Sequence, residues 1–205
     1  MPTRQTSLQT SLQENSWPDT PGDTALTIHV PEADALVRTG SRAHVTVLYP
    51  FLPLPRITGR LERDLRALIA MSPAFTLTFH ATQRWPGVLY LPPTPATPVR
   101  ALTDALRARW PEAVPYRGIF GEEGLAPHLT LASGEGTDDI PASPFRNALP
   151  LHTQVTAVRL ITTEGAGTGW RDAATYPLAP STARTINSRA RSTSSPSSRE
   201  LSTSN

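Results

Sequence analysis

The sequence predicts an α+β domain made of mostly antiparallel strands and a few helices. Apolar and polar residues alternate at period two in several short segments, which is typical of strands with one buried face. Two longer segments carry apolar stripes of helical period, and the last two apolar segments flank a short glycine-rich turn. Antiparallel strands combined with a few helices define the α+β class.

Strands and a helix alternate in the first half of the chain. The predicted strands there are 26–30, 43–51, 75–79 and 88–92. In the first strand, Leu26, Ile28 and Val30 share one face, because residues two apart point to the same side. A helix is predicted from Thr58 to Met71, since apolar residues recur on one side of this segment at helical spacing.

The second half begins with a helix and ends with a hairpin. Thr97 is predicted to cap the helix, with Pro98 at its first helical position. The buried stripe of this helix comprises Val99, Leu102, Leu106 and Trp110. A strand is predicted at 128–133, and the segments 155–163 and 170–178 predict a terminal hairpin around the turn EGAGTG.

The two ends of the chain are polar and of low complexity. Residues 1–24 and 181–205 carry few apolar side chains, so they cannot bury enough surface to offset the entropy of the chain. We predict two disordered tails around a folded domain at 25–180. The sequence shows no signal peptide and no apolar stretch of transmembrane length. We therefore expect a cytoplasmic monomer that does not contact membranes.

The charge composition excludes several classes of function. All 19 basic residues are Arg and none is Lys, which excludes a phosphate-loop lysine and a covalent lysyl-nucleotide intermediate. Cys is absent, which excludes disulfides and thiolate zinc sites. Between 25 and 180, 14 Arg nearly balance 13 acidic residues, without the basic stripe of proteins that grip long nucleic acid. A small substrate or the end of a strand fits this charge better than a long duplex.

Two tetrapeptides of the same pattern, His-apolar-Thr-apolar, lie 84 residues apart at 44–47 and 128–131. In each, the His and the Thr point to one side of a strand and the two apolar residues point to the other. Two such strands placed side by side by a pseudo-twofold converge two imidazoles and two hydroxyls on one groove. The candidate site residues are His44, Thr46, His128 and Thr130.

These residue types suit the chemistry of a phosphate ester. Displacement at phosphorus needs a base on the attacking oxygen and an acid on the leaving oxygen, and two imidazoles serve both roles near neutral pH. The Thr hydroxyls supply donors for the charge on the non-bridging oxygens. Neither motif contains a carboxylate, so we expect no metal and no cofactor.

Three other histidines lie outside the pair of motifs. His80 belongs to a bare His-x-Thr pattern that ends in Gln83, at the end of a strand, and is interpreted as a surface residue. His29 and His152 lack a Thr partner and receive the same structural interpretation. His29 shares the groove face if its strand is the neighbour of the first motif strand.

With these motifs the chain resembles the two-histidine (2H) phosphoesterases, in particular their 2′-5′ RNA ligase-like branch. The resemblance covers about residues 25–178 and rests on the two motifs, the strings AHVTVLYPF, RWPGVLYL and APHLTLA, and a final strand opening at Trp170. It implies a bilobal fold of two pseudo-symmetric βαβ-based lobes around a central groove. It also implies that His44 and His128 are the acid and base, and that Thr46 and Thr130 hold the phosphate.

The chain departs from the pattern of this family beside the groove. Pro141 and Pro144 stand where the family usually has a helix, so a different groove rim is expected. The candidate substrate contacts are Tyr116, Arg117, Trp170 and Arg171. For each of them the alternative is ordinary packing or solvated surface. The string EGAGTG is better explained as a hairpin turn than as a phosphate loop.

Two hypotheses of different classes follow. The first is a metal-independent phosphodiesterase that acts on 2′,3′-cyclic phosphate or 2′-5′ linked RNA ends or small nucleotides, with ATP-independent 2′-5′ ligation as its reverse reaction. The second is a non-catalytic binder of phosphorylated RNA ends or nucleotides that uses the same groove. Two titratable groups favour the enzyme, because a binder needs donors only. A histidine metal site is a third alternative, disfavoured by the missing carboxylates.

Overall fold

The computed structural model describes residues 19–121, 124–165 and 168–181. The predicted disordered tails lie almost entirely outside these residues. The described strands are β1 (Thr24–His29), β2 (His44–Leu48), β3 (Phe75–Phe79), β4 (Gln83–Trp85), β5 (Val88–Leu91), β6 (Pro93–Thr94), β7 (Leu129–Ser133), β8 (Leu151–Val155), β9 (Ala157–Thr163) and β10 (Trp170–Pro177). The α-helices are α1 (Gly59–Ile69), α2 (Thr97–Arg109) and α3 (Ser143–Arg146).

Seven strands form the main sheet in the order β10-β9-β1-β2-β7-β5-β4, and β6-β3-β8 form a second sheet. Every pairing between these strands is antiparallel. The predicted α+β class is therefore confirmed. The predicted terminal hairpin is also present, because β9 and β10 pair from Trp170 opposite Thr163 to Pro177 opposite Ala157.

The two long helices bury the apolar stripes that their sequences contain. Helix α1 buries Leu65 and Ile69, and α2 buries three residues of the predicted stripe at 0% exposure. Each buried aliphatic side chain contributes about 1.5–3 kcal/mol by its removal from water. Helix α2 packs against β2, where the Thr103 hydroxyl donates a hydrogen bond of 2.7 Å to the carbonyl of Val47. None of the described helices is long and apolar enough to cross a membrane.

Three local features differ from the sequence-based expectations. Thr97 is the first residue of α2 rather than its cap, and the preceding Ala96 makes no side-chain cap bond. Proline at the start of the helix, with its fixed φ, explains this start without a hydroxyl cap. The second difference is α3, a four-residue helix with Pro144 in its first turn, in the region where the prolines at 141 and 144 predict no helix.

The third difference concerns the N-terminal boundary of the folded region. The sequence places residues 19–24 in the tail, yet they contact the domain. The hydroxyl of Tyr49 donates a hydrogen bond of 2.7 Å to Asp19, and Arg117 donates one of 2.6 Å to Asp23. A charge pattern in the tail cannot reveal these contacts, because their partners lie 30 and 94 residues away along the chain.

Candidate active site

The two motif strands are direct neighbours at the centre of the main sheet. Strands β2 and β7 pair antiparallel with Val45 opposite Leu129. Continuing this register places His44 opposite Thr130 and Thr46 opposite His128, because partner numbers in an antiparallel pair keep a constant sum. Directly opposite Cβ atoms lie about 4.5–5.5 Å apart, and diagonal ones about 7–8 Å. The two imidazoles therefore stand on one diagonal and the two hydroxyls on the other.

The alternation of burial along both strands separates a core face from a groove face. Val45, Val47, Leu129 and Leu131 are buried in the core with at most 3% exposure. The His and Thr residues of both motifs are half-buried on the other face. The structure thus brings the four candidate residues together on one accessible surface.

Both motif histidines are held by the same local hydrogen bond. Nδ1 of His44 lies 2.8 Å from the carbonyl oxygen of Arg42, and Nδ1 of His128 lies 2.8 Å from that of Ala126. A carbonyl oxygen only accepts, so Nδ1 carries the hydrogen in each ring. Nε2 of each ring makes no hydrogen bond with any described residue, so in the neutral ring it is a free acceptor.

The surroundings of the two motif histidines disfavour their protonated forms. Burial lowers the pKa of His44 and of His128, and the hydrogen bond at Nδ1 opposes that effect in each. The charge of His29 further lowers the pKa of His44, and the charge of His44 further lowers that of His128. Because each protonated ring disfavours protonation of its neighbour, the state in which both imidazoles are protonated is disfavoured.

Aromatic side chains wall the His128 side of the groove. Tyr90 on β5 stands opposite Thr130 on β7. Trp85 stacks on Tyr90 with ring centroids 4.0 Å apart and presents its ring to His128 at 4.8 Å in an edge arrangement. Trp85 and Tyr90 thus pack against a motif histidine, and these contacts restrict the rotation of the His128 ring.

A third histidine lies beside His44. Strand β1 is the neighbour of β2, and His29 stands directly opposite His44, so the condition for His29 to share the groove face is met. Nε2 of His29 lies 3.1 Å from Asp34, whose other oxygen accepts a hydrogen bond of 2.7 Å from the amide of Ala43. Sequence reasoning did not identify Asp34, because no motif marks a carboxylate on the short turn that follows the strand.

The other histidines lie away from the groove. His152 is on β8 of the second sheet, with Nδ1 at 2.9 Å from the Thr78 hydroxyl. His80 follows β3 and is exposed near Arg146. Neither stands on a strand adjacent to the motif strands.

The four candidate substrate contacts have different surroundings. The side chain of Tyr116 lies beside Thr46, and its φ of 48° places a residue other than glycine in the left-handed region. Arg117, with φ 51°, is engaged by the ion pair with Asp23 and lies over the ring of Tyr49. Of these two residues, Tyr116 reaches a motif residue and Arg117 ties the loop to the N-terminal segment.

Trp170 and Arg171 lie on the other side of the groove, on β10. They line a cavity of about 320 Å³, here called the hairpin-side cavity, together with His29, His44 and Asp172. Trp170 packs edge-on against Tyr49 at 5.6 Å, and Arg171 is an exposed residue 3.8 Å from Glu164.

A second, larger cavity of about 440 Å³ adjoins the motif pair. This helix-side cavity is bounded at one end by Thr46, Tyr116 and His128, and at the other by one face of α2. His44 thus lines one cavity, and Thr46 and His128 line the other, which leaves room for a substrate beside a phosphate held at the motif pair. Among the described residues no group of three His, Cys, Asp or Glu is placed to hold a metal ion.

Comparison with known proteins points to one family and one fold. The sequence profile of the 2′-5′ RNA ligase superfamily matches residues 30–167. The protein TT0787 of Thermus thermophilus superimposes with a TM-score of 0.54 at 17% identity, over 76% of this chain and 97% of that one. The comparison with curated proteins finds no match.

Structures of E. coli LigT have the same fold. The complex with 3′-AMP superimposes with a TM-score of 0.51 at 21% identity, over 77% of this chain and 98% of LigT. The complex with ATP has a TM-score of 0.50 at 18% identity, over 78% of this chain and 99% of LigT. At these identities the likeness concerns the fold alone.

Proposed function

Since the chain belongs to the 2′-5′ RNA ligase superfamily, we propose that it is a metal-independent phosphodiesterase. Its proposed substrates are 2′,3′-cyclic phosphates or 2′-5′ linkages at RNA ends or in small nucleotides. The observation that carries this proposal is the matched pair of imidazoles. His44 begins β2 and His128 immediately precedes β7, the neighbouring strand, and each ring is fixed by a carbonyl at Nδ1 with Nε2 free of described partners.

We propose that the two histidines divide the acid and base roles. In the hydrolysis of a cyclic phosphate, Nε2 of the base takes a proton from water as the water oxygen bonds to phosphorus. The bond from phosphorus to the 2′ or 3′ oxygen breaks, and the acid donates its proton to that oxygen. The charge of His29 favours neutral His44, which supports His44 as the base and His128 as the acid.

The threonines are proposed to hold the non-bridging oxygens. A hydroxyl donor aimed at the developing charge stabilises the transition state more than the ground state. The side chain of Tyr116 lies beside Thr46, and burial raises the pKa of Tyr116 to about 12. Tyr116 therefore stays protonated across the working range of the histidines and keeps a hydroxyl beside Thr46.

The ligand complexes of LigT support a nucleotide as the occupant of the groove. That protein was crystallised with 3′-AMP and with ATP. We propose that a nucleotide binds here with its reacting phosphate between the two motifs. Joining of RNA ends is proposed to be the reverse of ring opening and independent of ATP, since the chain contains no Lys to carry a nucleotidyl group.

The test is hydrolysis of the four 2′,3′-cyclic nucleotides by purified protein in excess EDTA, with product identification. Turnover in wild type and its loss in His44→Ala and His128→Ala is the expected result. His80→Ala is the matched control, since His80 belongs to a His-x-Thr pattern away from the groove. Binding of 3′-AMP without turnover of any cyclic nucleotide would instead indicate a binder of phosphorylated ends, and loss of activity in EDTA would refute the metal-free mechanism.

A further inference from the structure

The helix-side cavity carries positive charge away from the motif residues. Its far wall is the face of α2 formed by Arg100, Thr103, Asp104 and Arg107. These positions are spaced by three, four and seven residues, so their side chains share one face of the helix. The cavity therefore connects the Thr46 and His128 end of the site with two guanidinium groups.

Neither Arg100 nor Arg107 forms an ion pair or a side-chain hydrogen bond with a described residue that would stabilise the fold. Arg107 is half-buried, yet neither it nor Arg100 lies within 4 Å of a carboxylate among the residues described, Asp104 included. By contrast, Arg109 on the same helix pairs with Asp64 at 2.7 Å. A partly desolvated cation without a counter-charge is unfavourable, so the Arg107 site favours an anion.

The position of Arg100 also favours a bound anion. It lies in the first turn of α2, where no acidic residue is present and where the helix dipole disfavours a cation. The same dipole favours an anion bound at this end of the helix. The hairpin-side cavity differs, because Arg42 and Arg159 there both face Asp172, at 3.6 and 3.1 Å.

We infer that the helix-side cavity is a subsite for a second phosphate group of the same substrate molecule, bound by Arg100 and Arg107. This inference rests on the proposed function, because the reacting phosphate must lie at the motif pair for the second phosphate to reach α2. Guanidinium groups match phosphate oxygens in bidentate geometry, and the cavity is continuous between the two positions. Asp104 lies between the arginines and offers an acceptor to a sugar hydroxyl or a base amino group.

The second phosphate has two chemical sources. It is either the phosphodiester that links the cyclic-phosphate nucleotide to the preceding nucleotide of a strand, or the 5′-phosphate of a single nucleotide. A set of cyclic-phosphate substrates separates them: the nucleoside 2′,3′-cyclic phosphate, its 5′-phosphorylated form, the dinucleotide, and the dinucleotide with an uncharged methylphosphonate linkage.

The test compares kcat/KM within each protein variant as a ratio between substrates. In wild type, the substrate with the correctly placed second phosphate is expected to exceed its uncharged counterpart by about tenfold, the equivalent of one charge-assisted contact in a partly exposed site. The ratio is expected to fall toward one in Arg100→Gln/Arg107→Gln, mainly through KM. An advantage of the 5′-phosphorylated mononucleotide identifies one source, and an advantage of the charged dinucleotide over its methylphosphonate identifies the other.

Arg63→Gln is the matched control, because Arg63 is an exposed arginine of α1 that makes no described ion pair. It removes one positive charge elsewhere on the surface and should leave the wild-type ratio intact. A ratio of one in wild type, or a ratio unchanged in the Arg100/Arg107 variant, would overturn the subsite while leaving the proposed function standing. Absence of turnover of every cyclic phosphate would reject the proposed function, and the subsite with it.

Discussion

Gly124 is predicted to control the position of Tyr116 and, through it, of Thr46. Gly124 has φ +67°, and a Cβ added to it lies 2.8 Å from Cβ of Pro115 and 3.5 Å from Cδ2 of Tyr116. A separation of 2.8 Å between two carbon atoms forces one of them to move. The substitution Gly124→Ala is therefore expected to push the segment that carries Tyr116 away from its present place.

The structure sets the size of the expected effects of Gly124→Ala on stability and on kcat. An alanine in the left-handed region costs about 1–2 kcal/mol, and overpacking costs about 1–3 kcal/mol more. We expect Gly124→Ala to lower the free energy of unfolding by about 2–5 kcal/mol. Displacement of Tyr116 from its place beside Thr46 is expected to lower kcat roughly 5- to 100-fold, the lower limit for one lost polar contact and the upper for a displaced phosphate donor.

Gly121→Ala is the control variant, because it introduces the backbone strain of a left-handed alanine without a clash of the added Cβ. Gly121 has φ +84° with nothing within 4 Å of its added Cβ, so only the cost of about 1–2 kcal/mol for the left-handed region applies. Thermal unfolding and hydrolysis of a cyclic nucleotide, measured well below both melting temperatures, compare the two variants. Equal stability and equal kcat in the two would refute the link from Gly124 through Tyr116 to Thr46.

Three further predictions concern catalysis, proton transfer and the N-terminal segment. His44→Ala and His128→Ala are each expected to lower kcat by about 10²- to 10⁴-fold in steady-state hydrolysis. The double variant is expected to lose less than the product of the two single losses, because the two imidazoles act as one unit. Losses that multiply would indicate independent groups. His29→Gln removes a positive charge that lowers the pKa of His44, so this pKa rises and the acidic limb of the kcat/KM profile moves to higher pH. An acidic limb that stays in place would contradict His44 as the base. Asp23→Asn weakens a 2.6 Å ion pair in which the side chain of Asp23 is 12% and that of Arg117 35% exposed. The substitution should lower the free energy of unfolding, measured by urea titration, by about 1–2 kcal/mol. Wild-type stability in this variant would show that the ion pair contributes nothing.

The alternation of side chains along strands could be predicted from the sequence because it is local. A strand places residues two apart on one face whatever surrounds it, so the apolar residues of each motif had to face the core if the motif was a strand. The stripes of α1 and α2 follow from helical spacing in the same way. Periodicity therefore predicted which side chains of β2 and β7 are buried, such as Val45 and Leu129, and which are accessible.

The neighbours of the motif residues could not be predicted in this way. The sequence left open whether His29 shares the groove, because that depends on β1 being the strand next to β2. It assigned Arg117 to candidate substrate contacts, whereas the structure pairs its guanidinium with an aspartate 94 residues earlier. The left-handed backbone at Tyr116, where no glycine stands, also has no local signature.

The sequence by itself determined the chemical groups of this protein and the faces on which they stand: two His-x-Thr strands, two amphipathic helices and a charge set without Lys. Only the tertiary structure decided that the two motif strands pair with Val45 opposite Leu129, which sets each histidine across from the threonine of the other motif. It also decided that α2 turns Arg100 and Arg107 toward that site. The physical reason is that periodicity depends on bonds between neighbouring residues, whereas strand order, register and helix placement depend on backbone pairing and packing between segments far apart in the chain.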